Sequence, residues 1–183
     1  MKKAAIIITL SIITAAFVSC KSTGPDQTAG VAVVVASPGI VKATDYVTDE
    51  AKVIDESTRK QLETTLAALQ KRKHIDFAVV TVRTTGDKSA FDYSLDLARE
   101  RKKNSLEQNP SGLLLLVAVD DRNWHIQITN NLEKDLTKEI LTNLSSPMTD
   151  AFKQKQYGEG ILKYVNALIA KLDQLELTAN ASH

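Results

Sequence analysis

Leu113-Leu-Leu-Leu-Val-Ala-Val119, with the polar Asp120-Asp-Arg-Asn123 and the alternating Trp124-His-Ile-Gln-Ile128 behind it, decides the fold. A strand with one wet face alternates apolar and polar residues, whereas a strand covered on both faces reads as an unbroken apolar run. Leu113 to Val119 is therefore a central strand, and the polar turn joins it to Trp124 to Ile128 as a β-hairpin. Antiparallel strands return on themselves. The loop entering Leu113 and the loop leaving Thr129 must lie at one end of the sheet, with Asp120 to Arg122 at the other.

Outward from this hairpin, Phe77-Ala-Val-Val-Thr-Val82 reads as a second buried strand. Asp55 is placed to cap a helix through about Lys73, with Leu62, Leu66 and Leu69 on one face. A second helix fits Ser89 to Lys103, with Phe91, Leu95 and Ala98 at helical spacing. Thr137 begins a third, carrying Ile140, Leu141 and Leu144, which Pro147 is expected to interrupt. The last helix runs from about Glu159 and buries Ile161, Val165, Leu168 and Leu172. Helices alternating with buried strands predict an α/β domain, a three-layer α/β/α sandwich around a small central mixed β-sheet, over residues 46–173. A polar tail, 174–183, follows.

At the N-terminus, Lys2 and Lys3 precede an apolar run from Ala4 to Val18, the pattern of a signal peptide over residues 1–19. This run falls short of the roughly 20 apolar residues that a bilayer core requires. It ends at Ser19 and Cys20, the only cysteine of the 183 residues. Phe17-Val-Ser-Cys20 resembles the lipobox of bacterial lipoproteins, although Phe17 stands where an aliphatic residue is usual. That resemblance implies diacylglycerol on the Cys20 thiol and a lipoprotein anchored by membrane lipid in the cell envelope, outside the cytoplasm. Several acyl chains would give stable anchoring where one is marginal. Residues 20–45, punctuated by Gly24-Pro25, Gly30 and Ser37-Pro-Gly39, read as a linker, within which Val31 to Ala36 is unassigned. With one cysteine the fold has no intramolecular disulfide. With 23 basic and 22 acidic residues, charge gives no case for nucleic acid.

The order of Tyr46-Val-Thr-Asp49, the Asp55 cap, Gly112-Leu-Leu-Leu-Leu-Val-Ala118, Asp121-Arg122 and Leu132-Glu133 resembles the TPM domain family, from about Tyr46 to Leu172. The family includes YgcG-like bacterial envelope proteins and a plant thylakoid-lumen protein. The resemblance implies an α/β/α sandwich, divalent-metal binding in some members and weak acid phosphatase activity in at least one. Many bacterial relatives carry a C-terminal membrane span, which a lipid on Cys20 would replace at the other end.

Hairpin geometry lets Asn109, Ser111 and the Gly112 backbone converge with Asn130, Asn131, Glu133 and Asp135, an oxygen-rich set of the kind that Ca²⁺ or another hard divalent cation prefers. The family pattern places Asp-Asn-Gly before the central strand and Gly-Tyr-Gly-Leu-Glu after the hairpin. Here the corresponding residues are Pro110-Ser-Gly112 and Thr129-Asn-Asn-Leu-Glu133. Pro110 replaces a carboxylate, and Thr129 and Asn131 replace two glycines that would let backbone approach closely. The candidate metal set is thus Asp49, Glu133, Asp135, Asn109 and Ser111. Glu133 and Asp49 match the family, whereas Asp135 is a nearby acid. Each has a structural alternative: a turn or cap for Asp49, and helix-dipole compensation for Glu133 and Asp135.

No catalytic residue is assigned. Asp120, Asp121 and Arg122 are ordinary turn residues, and His74 and His125 have no second His or Cys at ligand spacing. Trp124 is a packing residue or a partner anchor. Lys71-Arg-Lys73 and Arg99 to Lys103 suit helix C-termini or anionic headgroups. These features predict a non-enzymatic envelope module that assembles, maintains or recognises membrane proteins. The alternative is a divalent-metal-dependent phosphatase acting on exported phosphoesters.

Overall fold

The computed structural model describes residues 45–104 and 111–181. Cys20, the linker, Val31 to Ala36, Asn109 and Pro110 lie outside these residues. Along the chain run β1 (Val47–Asp49), α1 (Glu56–Lys73), β2 (Ile75–Val82), α2 (Ala90–Asn104), β3 (Ser111–Ala118), β4 (Asn123–Ile128), α3 (Asn130–Glu133), α4 (Lys138–Lys153) and α5 (Tyr157–Ala181).

The strands form one mixed sheet in the order β1-β2-β3-β4. β1, β2 and β3 are parallel, and β4 returns antiparallel, with Leu113 opposite Ile128 and Val117 opposite Trp124. The apolar run of β3 has the predicted cause: its alternate side chains enter two separate cores. Leu113, Leu115 and Val117 join a large core with Leu62, Leu66 and Leu69 of α1, Met148 of α4, and Ile161 and Leu168 of α5. Leu114, Leu116 and Ala118 join a smaller core with Tyr93 and Leu97 of α2. The α/β/α sandwich is thereby built, with α2, among the described residues, alone on one face.

α1 begins as predicted. The Asp55 carboxylate accepts from Thr58 N at 2.9 Å and Thr58 Oγ1 at 2.6 Å. It ends at His74, which adopts φ 54° and closes the helix by donating its N–H to Gln70 O at 2.9 Å. Arg72 and Lys73 of the last turn reach Asp173 of α5 at 3.0 and 3.1 Å. These pairs tie α5 down at the point where the sequence suggests a polar tail, and the helix continues to Ala181.

Further details depart from the expectations. β1 and the single turn α3 are additional elements, and β2 starts at Ile75 rather than Phe77. The last helix begins at Tyr157, two residues early. Most informatively, Pro147 does not interrupt its helix, since α4 runs through it. Pro147 and Asn143, whose carbonyl loses its partner, are both exposed, so water can serve that carbonyl. Ser145, Met148 and Ala151 are buried and hold the helix on the core across the proline.

Candidate functional site

The chemistry expected of the hairpin's open end depends on whether oxygen atoms converge there unengaged. Antiparallel pairing of β3 with β4 brings Gly112 beside Thr129, and the turn of α3 swings Asn131 back over Ser111. Thr129 N donates to Gly112 O at 3.0 Å, and Gly112 N donates to Thr129 Oγ1 at 2.9 Å. Thr129 Oγ1 lies 2.6 Å from Asn131 Oδ1, and Asn131 Nδ2 donates to Ser111 Oγ at 2.5 Å. Ser111, Gly112, Thr129 and Asn131 thus satisfy one another in a closed network. Ser111, Thr129 and Asn131, which depart from the family pattern, supply its side chains.

Glu133 and Asp135 belong to the same end of the sheet but are exposed, and α3 is oriented by the buried Leu132 between them and the sheet. Asn109 falls outside the described residues. Asp49 does not join the group. Parallel pairing sets Asp49 beside Thr81 and Thr81 beside Val117, whereas Ser111 sits beside Ile75 at the other end of β2. Six residues along a strand at about 3.3 Å each separate the two ends by roughly 20 Å. The strand order therefore keeps Asp49 apart from Ser111.

The Asp49 carboxylate has its own partners. Oδ1 accepts from Val53 N at 3.2 Å and from the Thr81 hydroxyl, and Oδ2 accepts from Ile54 N at 3.0 Å. It closes the turn between β1 and α1, in which Lys52 takes φ 56°. That is the turn-cap reading of this residue.

Asp120 and Asp121, beside Asp49's end of the sheet, point to different partners. Asp121 Oδ2 accepts from Thr85 N at 2.8 Å and lies 3.1 Å from Thr85 Oγ1, which pins the β2–α2 loop to the hairpin turn. The Thr85 backbone N–H holds the Asp121 carboxyl below its ordinary range. Asp120 faces Arg83 at 3.7 Å across solvent. Among the described residues no three His, Cys, Asp or Glu side chains are grouped to hold a metal ion.

Among the described residues, His74 is the α1 cap and His125 packs edge-on against Phe91, with centroids 5.3 Å apart. Burial pushes the His125 imidazole down from its usual range, an effect Gln127 partly opposes. Trp124 packs edge-on against the buried Tyr164 at 5.7 Å, the packing reading of that residue.

One feature escaped the sequence reading. Between α2 and the β3–β4 hairpin lies a cavity of about 470 Å³, lined by Leu95, Ala98, Arg99, Lys102, Gln127 and Asn131 among others. Asp76 and Arg101 also line it and form a two-pronged ion pair at 2.6 and 2.7 Å, and Arg101 Nη1 donates to Asp45 O at 2.8 Å. The basic run in α2 was the available signal, but its partner elements are distant in sequence.

The fold has relatives among solved structures. The N-terminal domain of a protein from P. gingivalis is 30% identical and superposes with a TM-score of 0.64 over 72% of this chain and 84% of that one. A protein from the psychrophilic bacterium Bizionia argentinensis, 16% identical, gives 0.56 over 66% and 82%. The N-terminal domain of a Corynebacterium glutamicum protein, 15% identical, gives 0.53 over 67% and 76%. These last two speak for the fold alone. No curated protein matches the sequence. The TPM domain profile matches residues 47–171, from the first residue of β1 into α5. The layered sheet, the buried β3 run and this match over most of the chain make the protein a member of the TPM domain family.

Proposed function

We propose that this protein is an exported envelope module, anchored by lipid on Cys20, that contacts membrane proteins and performs no catalysis. The observation that carries the non-enzymatic part is the closed network of Ser111, Gly112, Thr129 and Asn131 where a divalent cation would need open oxygen ligands. Asp49, the other family-matching acid, is engaged by two backbone N–H groups and a hydroxyl at the far end of the sheet. The anchoring part rests on Lys2-Lys3, the apolar run to Val18 and the lipobox-like Phe17 to Cys20. A metal-dependent phosphatase is the less favoured reading, because it requires a cage that Pro110, Ser111, Thr129 and Asn131 do not supply.

Metabolic labelling with an alkyne fatty acid tests the anchor: the full chain should take up label and sediment with membranes, and Cys20→Ser should do neither. Equal labelling of the variant would refute it. Crosslinking from the anchored protein in native membranes should recover a reproducible envelope protein. Recovery of bulk lipid and abundant porins alone would count against partner contact.

A further inference from the structure

We propose that the cavity between α2 and the β3–β4 hairpin binds an amphiphile with one anionic head, a phosphate or carboxylate, and a short apolar body. The volume, about 470 Å³, lies within the approximately 300–1,000 Å³ of small-molecule sites. Leu95 and Ala98 of α2 and Leu113, Leu114 and Ile128 of the hairpin give it apolar walls. Arg99 and Lys102 stand exposed at the rim, one helical turn apart, and Asn130 and Asn131 are exposed across from them. An apolar hollow with cations and amides at its mouth matches a ligand that is greasy at one end and negative at the other.

Charge accounting decides the sign. Three cations and one carboxylate line the cavity. Asp76 is consumed by Arg101 in the two-pronged pair. Arg99 is 3.6 Å from Asp96, but that carboxylate is held more closely by Lys88 at 2.7 Å, and the Arg99 side chain is 66% exposed. Such an exposed pair is weak, so Arg99 can turn to a ligand. Lys102 is likewise exposed. The Asp76–Arg101 pair has a separate part: it braces the start of β2 against the end of α2 and keeps one wall in place.

The proposal goes beyond the anchoring reading and stands without it, since every residue named in the cavity lining lies between Asp76 and Asn131 in the sequence. Photolabelling the full chain, in a total lysate of an expressing bacterium with its membranes retained, with a short diazirine-bearing alkyl phosphate provides the test. Label should map to peptides containing Leu95 to Ala98 or Leu113 to Leu114. Hexyl phosphate should compete, whereas hexanol and inorganic phosphate should not. Arg99→Gln with Lys102→Gln should lower labelling by at least about tenfold, the ratio for losing one good contact. Ala98→Leu, which fills the hollow and leaves charge unchanged, should also block it. Cys20→Ser should label like the parent, so failure of the anchor and failure of the cavity are distinguishable. Competition by phosphatidylglycerol vesicles would assign the ligand to a bilayer lipid; competition by hexyl phosphate alone would assign it to a free amphiphile. Label elsewhere, equal competition by hexanol or by inorganic phosphate, or labelling indifferent to both the charge pair and Ala98→Leu would overturn the proposal.

Discussion

Asp49 shows how a family-matching acid can be read two ways until its partners are known. Its oxygens serve Val53 N and Ile54 N of the partly buried turn and the hydroxyl of Thr81 on the neighbouring strand β2. Asp49→Ala should therefore destabilise the fold by about 1–3 kcal/mol, the cost of leaving buried donors unmade. The exposed Asp135→Ala should stay within about 0.5 kcal/mol. Denaturant titration of the full-length variants separates the two, and equal small effects would contradict the cap. His125 gives a pH dependence with a definite sign. Its folded pKa lies below the ordinary 6.5 because burial disfavours the charged ring. The neutral form is favoured by folding, so this contribution is complete above pH 6.5 and is lost as pH falls through the lower folded value. His125→Phe should flatten that part of the stability–pH curve, measured by thermal unfolding from pH 7 to pH 5. An unchanged slope would remove His125 as its source.

At the scale of elements, local signals and packing part company where burial outweighs propensity. α1 was legible because Asp55 and the Leu62, Leu66, Leu69 stripe agree, and the β3–β4 hairpin because its apolar run and polar turn agree. β1 was not: three residues carry little pattern, and only pairing with Val79 to Thr81 makes them a strand. Nor was the passage of α4 through Pro147, which depends on the burial of Met148 and Ala151 on either side of the next turn. Pro147→Ala should stabilise the protein, by up to the roughly 3 kcal/mol that an interior helix proline costs, and the unfolding midpoint reports it. Gly160 makes the opposite prediction. A Cβ there would meet Met148 O and Ala151 Cβ at 3.0 Å, where α5 crosses α4. Overpacking costs about 1–3 kcal/mol, against about 1 kcal/mol of helix propensity gained. Gly160→Ala should therefore lower the midpoint, and a raised midpoint would show that the two helices can part freely.

Across the whole molecule, hairpin logic and strand order answer different questions. The return of β4 alongside β3 placed Ser111 near Asn131 correctly, since only two neighbouring strands were needed. It could not place Asp49, whose position follows from β1 lying parallel to β2, and β2 to β3. The proposed site thus separates into a hydrogen-bonded loop at one end and a turn cap at the other. The cavity beside α2 stayed hidden for the same reason, because Arg99 and Gln127 meet only in the folded sandwich. A tethered module that contacts partners needs none of these groups to bind metal, whereas a metal-dependent phosphatase needs several. Calorimetric titration of the full chain with Ca²⁺ and Mg²⁺ tests this most directly. No saturable binding at millimolar affinity or tighter is expected; saturable binding that Glu133→Ala weakens would contradict the non-enzymatic reading.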